Sequence, residues 1–329
     1  MKLNSCFSAI GAVLCLATHT VPAAAQQTGA AAAYPTKPIR LIVPLAPGGP
    51  SDTLARMLAQ KLGEGMKQMV IVDNRPGAGS VVGIGIAAKS PPDGYTMILV
   101  STSYSVNAAL YSELPYDMKD LTAVTMLAVA PNILVAHPSL PVKTLKQLIA
   151  LAKARPGELN YASGGNGTAS HMEMELLKLQ TGINIVHIPY KGAGPSMIDL
   201  IAGHVQLLMP NIIVALPVVK SGRARAIAVS TAKRSSAASE IPTIAESGVP
   251  GYDEGGQHGI MVPAGTPRDI VTRLHQEITK ILQLSEVKDR LASEGAEVVG
   301  NSPEQYMAII RSDVEKWARV VRSSGIRAD

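Results

Sequence analysis

The stretch IRLIVPLAPGGPSDTLARMLAQKL, residues 39–62, contains the pattern that decides the fold. Ile39–Leu45 is an apolar run broken only by Arg40, which is typical of a strand buried on both faces of a sheet. A turn rich in Pro and Gly follows at residues 47–50, and Ser51 or Asp52 then stands where a helix N-cap is preferred. The stretch therefore predicts a buried strand, a short glycine-rich loop and an amphipathic helix, in that order.

The same unit recurs along the chain. We predict further strands at residues 69–72, 95–100, 159–162, 185–188 and 205–209. We predict helices at residues 80–89 and 168–180, and two more that end near residues 202 and 221. After the strand at 95–100 we predict only a loop, Ser101–Ser103. This alternation is typical of parallel sheets covered by helices, an α/β fold.

Two longer stretches interrupt the alternation. Residues 121–137 stay apolar and β-branched for longer than one strand needs, and a strand at 224–230 is followed by a polar segment. We interpret both as crossings between two lobes, since a mature chain of about three hundred residues favours two domains over one. Lobe 1 would then comprise residues 37–126 and 232–329, and lobe 2 residues 127–231. The C-terminal helices that we predict for lobe 1 are 267–284, 286–294 and 303–323.

The N-terminus has the layout of a secretory signal. Lys2 precedes an apolar run, Cys6–Leu16, and small residues follow up to Ala25. A positive region, an apolar region and an Ala-x-Ala cleavage site are the features of a signal peptide, and this apolar run is short for a membrane span. We therefore expect residues 1–25 to be removed, residues 26–36 to form a leader, and the mature protein to be soluble in the periplasm.

The composition of the mature chain excludes several classes of site. Both cysteines, Cys6 and Cys15, lie in the predicted signal peptide, which leaves no disulfide and no thiol nucleophile. A net charge of +5, with scattered Lys and Arg and 3% aromatic residues, argues against nucleic-acid binding. The histidines are too dispersed for a metal site, so we expect no metal.

Two Gly-rich motifs resemble nucleotide-binding loops but lack the residues that would complete them. Gly77, Gly79 and Gly83 follow a strand, but the next strand ends in Ser101–Ser103, where a Rossmann site would need an acidic or Arg side chain. The segment 163–168, Ser-Gly-Gly-Asn-Gly-Thr, is not followed by the Gly-Lys-Ser/Thr of a P-loop. We therefore expect no cofactor.

The loops at the carboxyl ends of the predicted strands suit an anion. Ligands of open parallel sheets bind outside these ends, and two lobes would bring two sets of loops face to face. Backbone N–H groups and helix dipoles can bind an anion there without a buried Lys or Arg. A small organic carboxylate in a cleft between the lobes is therefore the expected ligand.

Short motifs along the chain resemble those of the extracytoplasmic solute receptors of tripartite tricarboxylate transporters, also called Bug receptors. The matching segments are YPTKPIR (34–40), PGGPSD (47–52), NRPGAG (74–79), PDGY (92–95), LPYD (114–117), KARPG (153–157), YASG (161–164), GT (167–168) with His171, HIPYKG (187–192), IPTIAE (241–246), PGY (250–252) and GTP (265–267). The ordered set spans nearly the whole mature chain and is highly specific. The resemblance implies a type II periplasmic-binding-protein fold, with two lobes, mostly parallel sheets and a central cleft that closes on its ligand.

The resemblance also implies which residues bind a carboxylate, partly through waters. They are Pro47, Gly48, Gly49, Ser51 and Asp52 on one lobe, facing Ser163, Gly164, Gly167 and Thr168 on the other. Asp52 would orient its loop or a water rather than touch the carboxylate. Equivalent loop positions add Gly79, Ser101, Thr102, Tyr190 and Asn211. The implied partners are the membrane permease subunits of such a transporter, and we expect a monomer with no catalytic residues.

One departure from the family lies just before a Gly-rich strand that we predict at Gly259–Val262. Family members often carry a Trp there, whereas this chain has Gln257 and His258. These two side chains could reach the cleft and change the choice of ligand. His171, one turn into its helix, could reach the ligand or only the loop before it. Which carboxylate binds is left open, although an aromatic-lined pocket is disfavoured because only tyrosines remain to line one.

Two alternatives stay open. A receptor of this kind can present its ligand to a sensor instead of a permease. A secreted α/β hydrolase or transferase is the alternative from another class, although no Ser-His-Asp triad or Gly-x-Ser-x-Gly elbow is visible. It would be favoured if Ser51 or Ser163 lay about 3 Å from a histidine nitrogen supported by a carboxylate.

Overall fold

The computed structural model describes residues 34–324 and 326. The predicted signal peptide and residues 26–33 of the predicted leader lie outside these residues. From Pro35 onward the chain forms one compact unit. Among the helices of the described residues, none is both long enough and apolar enough to cross a membrane.

The secondary structure alternates between strands and helices over most of the chain. The strands are β1 (Ile39–Val43), β2 (Val70–Asn74), β3 (Thr96–Ser101), β4 (Leu121–Ala130), β5 (Ile133–Ala136), β6 (Asn160–Ser163), β7 (Val186–Pro189), β8 (Leu207–Leu208), β9 (Arg225–Val229), β10 (Gly256–Pro263) and β11 (Glu297–Val298). The helices are α1 (Pro50–Met66), α2 (Val81–Ala88), α3 (Ser103–Leu110), α4 (Leu145–Ala154), α5 (Ala169–Thr181), α6 (Ala193–Ala202), α7 (Ile212–Lys220), α8 (Arg268–Gln283), α9 (Ser285–Ser293) and α10 (Pro303–Ser324).

The first sheet has the strand order β11-β4-β10-β3-β1-β2. β1 pairs in parallel with β2 on one side and β3 on the other. Ile39 and the run Leu41–Val43 are completely buried, as expected for a parallel strand covered on both faces. Helix α1 follows β1 after a short loop and begins with Pro50, which suits a first turn because proline has no N–H to leave unpaired.

The second sheet has the order β7-β6-β8-β5-β9. The chain passes from the first sheet to the second between β4 and β5, and it returns between β9 and β10. We call the part built on the first sheet lobe 1 and the part built on the second sheet lobe 2. The connection between β9 and β10 contributes Ile244, Val249 and Tyr252 to the core of lobe 2. The residue boundaries 126/127 and 231/232 stay predictions.

Both sheets are mixed, which qualifies the expectation of mostly parallel sheets. In lobe 1, β1 to β4 run in one direction, and β10 and β11 run against them. In lobe 2, β6 to β9 share a direction and β5 opposes it. β5 is the first strand after the crossing into lobe 2, and β10 is the first strand after the return to lobe 1. Each of them runs against the direction that most strands of its sheet share.

Two helices were not predicted. Ser101 ends β3, Thr102 is an N-cap, and Ser103 begins α3, so the predicted loop is the start of a helix. Helix α4 begins after Thr144, whose hydroxyl caps it. Helices α3 and α5 also connect the lobes, because Val106 of α3 packs in one apolar cluster with Met172 of α5 and Trp317 of α10.

Candidate functional site

A narrow cavity of about 60 Å³ lies between the two lobes, at the carboxyl ends of β1, β3 and β6. The predicted site residues in its wall are Ser51, Ser101, Thr102, Gly164, Thr168, Asn211, Gln257 and His258. The wall residues that were not predicted are Leu45, Pro50, Asn132, Ala169, Ser170, Ala193, Pro210 and Gly256. No Lys, Arg, Asp or Glu stands among these wall residues. A charged ligand would therefore interact with dipoles and polar groups rather than with an opposite charge.

The N-termini of α1, α3, α5, α6 and α7 all contribute N-cap or first-turn residues to this wall. The N-caps of α1, α3, α5 and α6 are Gly49, Thr102, Thr168 and Gly192, and none makes a side-chain capping bond. The first N–H groups of a helix have no partner within the helix, so those groups are available to a ligand. Helix N-termini also carry partial positive charge. Their convergence makes the cavity suitable for a carboxylate.

The Asp52 side chain fixes the loop that precedes α1. It accepts hydrogen bonds from the N–H of Gly48 at 3.1 Å, from Arg56 Nε at 3.0 Å and from Asn74 Nδ2 at 3.1 Å. Burial favours a higher pKa for Asp52, but the bonds from Arg56, Gly48 and Asn74 outweigh it and hold the pKa below its ordinary value. The ionised carboxylate therefore organises the turn 47–50 from outside the cavity wall.

The loop between β6 and α5 is held by its own hydrogen bonds. Ser163 Oγ accepts from the N–H of Gly165 at 3.0 Å, and Thr168 Oγ1 donates to the carbonyl oxygen of Gly165 at 2.7 Å. The N–H of Gly164 donates to Ser170 Oγ at 3.0 Å. Gly164, Thr168 and Ser170 line the cavity, whereas Ser163 is completely buried behind them. The loop therefore presents a preformed surface to the cavity.

Two stacked histidines support this loop from behind. Ser163 Oγ lies 2.6 Å from Nε2 of His187. This is the nucleophile-to-base contact that a hydrolase would need. The ring of His187 stacks on that of His171, with centroids 4.1 Å apart. His171 Nδ1 accepts the N–H of Gly167 at 3.1 Å. His171 therefore contacts the loop, and it is not part of the cavity wall.

The carboxylate that would support the histidine of a hydrolase is missing in the described part of the chain. No described carboxylate hydrogen-bonds to His187, and the nearby Glu175 accepts instead from Tyr161 and Lys178. Burial, followed by the neighbouring His171, lowers the pKa of His187 to about 3. A ring with that pKa is a poor general base near neutral pH. The Ser163–His187 bond is therefore an internal brace of the loop.

Direct contacts join the two lobes near the cavity. The N–H of Ala46 in lobe 1 donates to the carbonyl oxygen of Lys191 in lobe 2 at 3.0 Å. A Cβ built on Gly79 would lie only 1.7 Å from the carbonyl oxygen of Asn166. A Cβ built on Gly194 would lie only 2.5 Å from the carbonyl oxygen of Pro47. The two backbones can approach this closely because glycine has no side chain at these points.

Several predicted residues lie outside the cavity wall. They are Pro47, Gly48, Gly49, Asp52, Gly79, Ser163, Gly167, Tyr190 and His171. Gly48 and Gly49 face the first residues of α6, and the hydroxyl of Tyr190 donates to Asp199 of the same helix. Contact of these residues with a ligand stays a prediction.

Gln257 and His258, together with Gly256, form the part of the wall that comes from β10. The N–H of Gln257 donates to Thr102 Oγ1 at 3.2 Å, which fixes β10 against the start of α3. His258 pairs with Ser101 across the sheet and is 3% exposed. Burial lowers the pKa of His258 to about 4, so its ring is neutral at neutral pH. Its Nδ1 is buried and has no hydrogen-bond partner among the described residues.

Two other kinds of site are less suited to a small anion. The described residues contain no cluster of three or more His, Cys, Asp or Glu side chains that could hold a metal ion. A larger groove of about 950 Å³ lies along β9 and the start of α4, and its charged side chains, such as Lys143, Arg225 and Glu246, carry both signs. That groove is lined by lobe 2 and the connection to β10. We therefore place the candidate site in the smaller cavity, where both lobes and several helix N-termini meet.

Comparisons with known proteins agree with this architecture. A family model described as "Tripartite tricarboxylate transporter family receptor" matches residues 54–326. Protein BugT of Bordetella pertussis (strain Tohama I) is 37% identical over 330 residues, covering 99% of each chain. The solved structure of R. palustris Rpa4515 with adipate has a TM-score of 0.87 at 37% identity, covering 89% of this chain and 99% of that one. MatC (Rpa3494) from Rhodopseudomonas palustris with bound malate has a TM-score of 0.84 at 28% identity, covering 88% and 100%. These matches confirm the resemblance drawn from the motifs and the predicted two-lobed binding-protein fold.

Proposed function

This chain belongs to the tripartite tricarboxylate transporter receptor family, whose members are periplasmic receptors, and on that basis we propose that it is itself an exported receptor for a small organic carboxylate. It captures the acid in the cavity between its lobes and delivers it to membrane permease subunits. The observation that carries the proposal is the convergence of helix N-termini without side-chain caps on a cavity whose wall contains no charged side chain.

Backbone N–H groups explain how such a wall holds an anion. Each uncapped N-terminus offers donors that point along the helix axis, and a carboxylate that accepts them makes charge-assisted hydrogen bonds. Two solved relatives hold adipate and malate, both small carboxylic acids.

Closure follows from the same contacts. A ligand that bridges α1 of lobe 1 and α5 of lobe 2 binds the closed form better than the open form, and it therefore shifts the population toward closure. The Ala46–Lys191 hydrogen bond and the Gly79–Asn166 approach form only when the lobes meet. The closed shape is then the form that a permease can recognise.

The receptor function requires no catalysis. Ser163, whose hydroxyl bonds His187, is buried behind the wall, and the lowered pKa of His187 makes it a weak base. These features support a binding role over a hydrolase or transferase.

The first experiment is a thermal-shift screen of organic acids on the chain without residues 1–25. An acid at a hundred times its Kd should stabilise the protein by about 2.7 kcal/mol, which raises the melting temperature by several degrees. The fully esterified form of the same acid, which has no carboxylate, should give no shift. Stabilisation by none of the acids, together with turnover of an ester or amide, would overturn the proposal.

A backbone substitution tests the helix N-terminus directly. Ala169→Pro removes the first N–H of α5 while keeping the helix, since proline is tolerated at this position and Thr168 before it is extended. We expect a loss of about tenfold or more in affinity with little change in melting temperature. The matched control is Arg268→Pro at the first position of α8, which is exposed and outside the cavity wall. Equal affinities of the two variants would contradict the proposal.

A further inference from the structure

The loop between β2 and α2 has an unusual backbone conformation. Ala78, Gly79 and Ser80 have φ angles of +44°, +57° and +87°. Left-handed backbone is costly for a residue that carries a Cβ. Among the described residues, Ala78 and Ser80 are two of the three non-glycine residues with a positive φ, and Lys67 is the third. Strained backbone persists only where the surroundings hold it, and it is concentrated at sites that clamp ligands or switch between states.

Helix α3 and the residue after it donate one hydrogen bond to each residue of the loop 78–80. The three bonds run from Ser103 Oγ to Ser80 Oγ at 3.0 Å, from Asn107 Nδ2 to the carbonyl oxygen of Gly79 at 3.0 Å, and from the Tyr111 hydroxyl to the carbonyl oxygen of Ala78 at 3.2 Å. The donors are spaced four residues apart, so they form a row along one side of the helix. Asn107 is the middle donor, and it is completely buried.

The loop 78–80 is also the part of lobe 1 that meets the Gly-rich loop of lobe 2. The carbonyl oxygen of Asn166 lies against Gly79, as described above. A Cβ built on Gly167 would lie only 2.6 Å from Asn107 Oδ1. Asn107 therefore contacts both sides of this junction, because its Nδ2 fixes the loop of lobe 1 and its Oδ1 lies against lobe 2. The next residue of lobe 2, Thr168, is part of the cavity wall.

We propose that Asn107 is a positioning residue for ligand capture, which holds residues 78–80 in the shape that receives the loop of lobe 2 when the lobes close. This inference rests on the proposed receptor function. Asn107 is outside the cavity wall, so it acts through the loop and not on the ligand. Without its hydrogen bond the strained loop relaxes, and closure must then restore the strained shape. This cost falls on the closed, ligand-bound form, so dissociation becomes faster.

The test compares Asn107→Ala with a variant that loses a similar bond elsewhere. Asn160→Ala is the matched control, because Asn160 Oδ1 accepts the N–H of Gln206 at 3.2 Å at the start of β6, outside the cavity wall. Calorimetric titration and stopped-flow dissociation would use adipate and malate with the chain without residues 1–25. Asn107→Ala should bind the better of these acids about tenfold more weakly, chiefly through faster dissociation. Asn160→Ala should keep wild-type affinity.

Two further measurements separate positioning from a general loss of structure. Tyr111→Phe removes only the last hydroxyl of the row, so it should weaken binding about threefold while the ring keeps its packing. Hydrogen exchange without ligand reports the loop itself, because the N–H of Ser80 donates to the carbonyl oxygen of Gly77 at 3.1 Å. Exchange at Ser80 should become faster in Asn107→Ala but not in Asn160→Ala.

The outcomes distinguish this inference from the proposed function. If Asn107→Ala binds the acids as tightly as Asn160→Ala, the inference is overturned and the receptor function stands. The inference is also overturned if Asn107→Ala binds weakly but exchange at Ser80 is unchanged, because the loop then keeps its shape without Asn107. If neither acid binds the wild type, the inference is overturned, whereas the receptor function fails only if every acid of the thermal-shift screen fails.

Discussion

Gly79→Ala is expected to have two effects, a steric clash between the lobes and a strained backbone at residue 79. A Cβ at residue 79 would lie 1.7 Å from the carbonyl oxygen of Asn166, whereas ordinary contacts begin near 3.4 Å. The two loops must therefore separate by about 1.7 Å, and under the proposed closing motion they meet only when the lobes close. The φ of +57° at this residue is also strained for any L side chain, and that strain is local to residue 79 and does not involve Asn166. The clash should thus lower affinity, and the strain should lower stability.

The magnitudes follow from these two costs. Forcing an extra methyl group into a packed contact costs about 1–3 kcal/mol, which corresponds to a loss of affinity of roughly fivefold to 150-fold. The left-handed backbone costs the alanine about 1–2 kcal/mol of stability without ligand. Gly182→Ala is the matched control, because Gly182 has a φ of +67° and a Cβ added there would meet nothing within 4 Å. It should lose similar stability and keep wild-type affinity.

The assay measures both quantities for both variants. Calorimetric titration with the best acid gives the affinity, thermal melting without ligand gives the stability, and solution scattering with saturating acid reports whether the lobes close. Gly79→Ala should bind more weakly than Gly182→Ala and should scatter as a more open particle. If Gly79→Ala binds as tightly as Gly182→Ala, closure does not bring these loops together, and the closed cavity described above is wrong.

Three further predictions concern buried polar groups. Asp52→Asn should lower the free energy of unfolding by about 1.5–3 kcal/mol at pH 7, because the ionised carboxylate binds Arg56. The pKa of Asp52 is lowered in the folded state, so the difference in melting temperature between the variant and the wild type should shrink as the pH falls through that pKa. Burial lowers the pKa of His171 to about 4 and that of His187 to about 3. Below pH 6.5 these two histidines therefore bind protons in the unfolded state but not yet in the folded state. The unfolding free energy from denaturant titrations should therefore fall between pH 6.5 and pH 4, and NMR signals of both rings should not titrate above pH 5; titration near pH 6.5 would show that the rings are not buried. Burial, with the nearby Glu254, raises the pKa of Glu173 well above its ordinary value, so Glu173→Gln should change the melting temperature little, and a large loss would mean that a carboxylate is required there.

The strand and loop units of the fold were predictable because each carries a local signal. The run 39–45 is apolar enough to identify a buried strand, and the Pro–Gly turn after it marks where a helix can begin. Helix α3 was missed because its first residues, Ser103–Ser105, have the composition of a loop, and its helical state depends on burial between the lobes. Helix α4 carried a signal that could have been used, since Thr144 is a good N-cap and Leu145 and Leu148 lie on one helix face.

The cavity wall was predicted only in part, for geometric reasons. Ser170 and Ala193 lie in the first turns of helices whose preceding loops were predicted, so extending each loop into the first helical turn would have found them. Asn132 follows Pro131 between β4 and β5; this pair marks a break between two strands, but nothing local marks Asn132 as a wall residue. The loop position of Tyr190 predicts a ligand contact, but its hydroxyl donates a hydrogen bond to Asp199. Side-chain direction of this kind depends on tertiary contacts.

The central claim is that a carboxylate binds to uncapped helix N-termini in the cavity between the lobes. The most direct test is a crystal structure of the chain without residues 1–25, with an acid from the thermal-shift screen bound. We expect one carboxylate group within hydrogen-bond distance of backbone N–H groups at the starts of α1 and α5, with no Lys or Arg side chain in contact. A carboxylate held by a Lys or Arg, or an acid bound in the groove along β9 and α4, would contradict the claim.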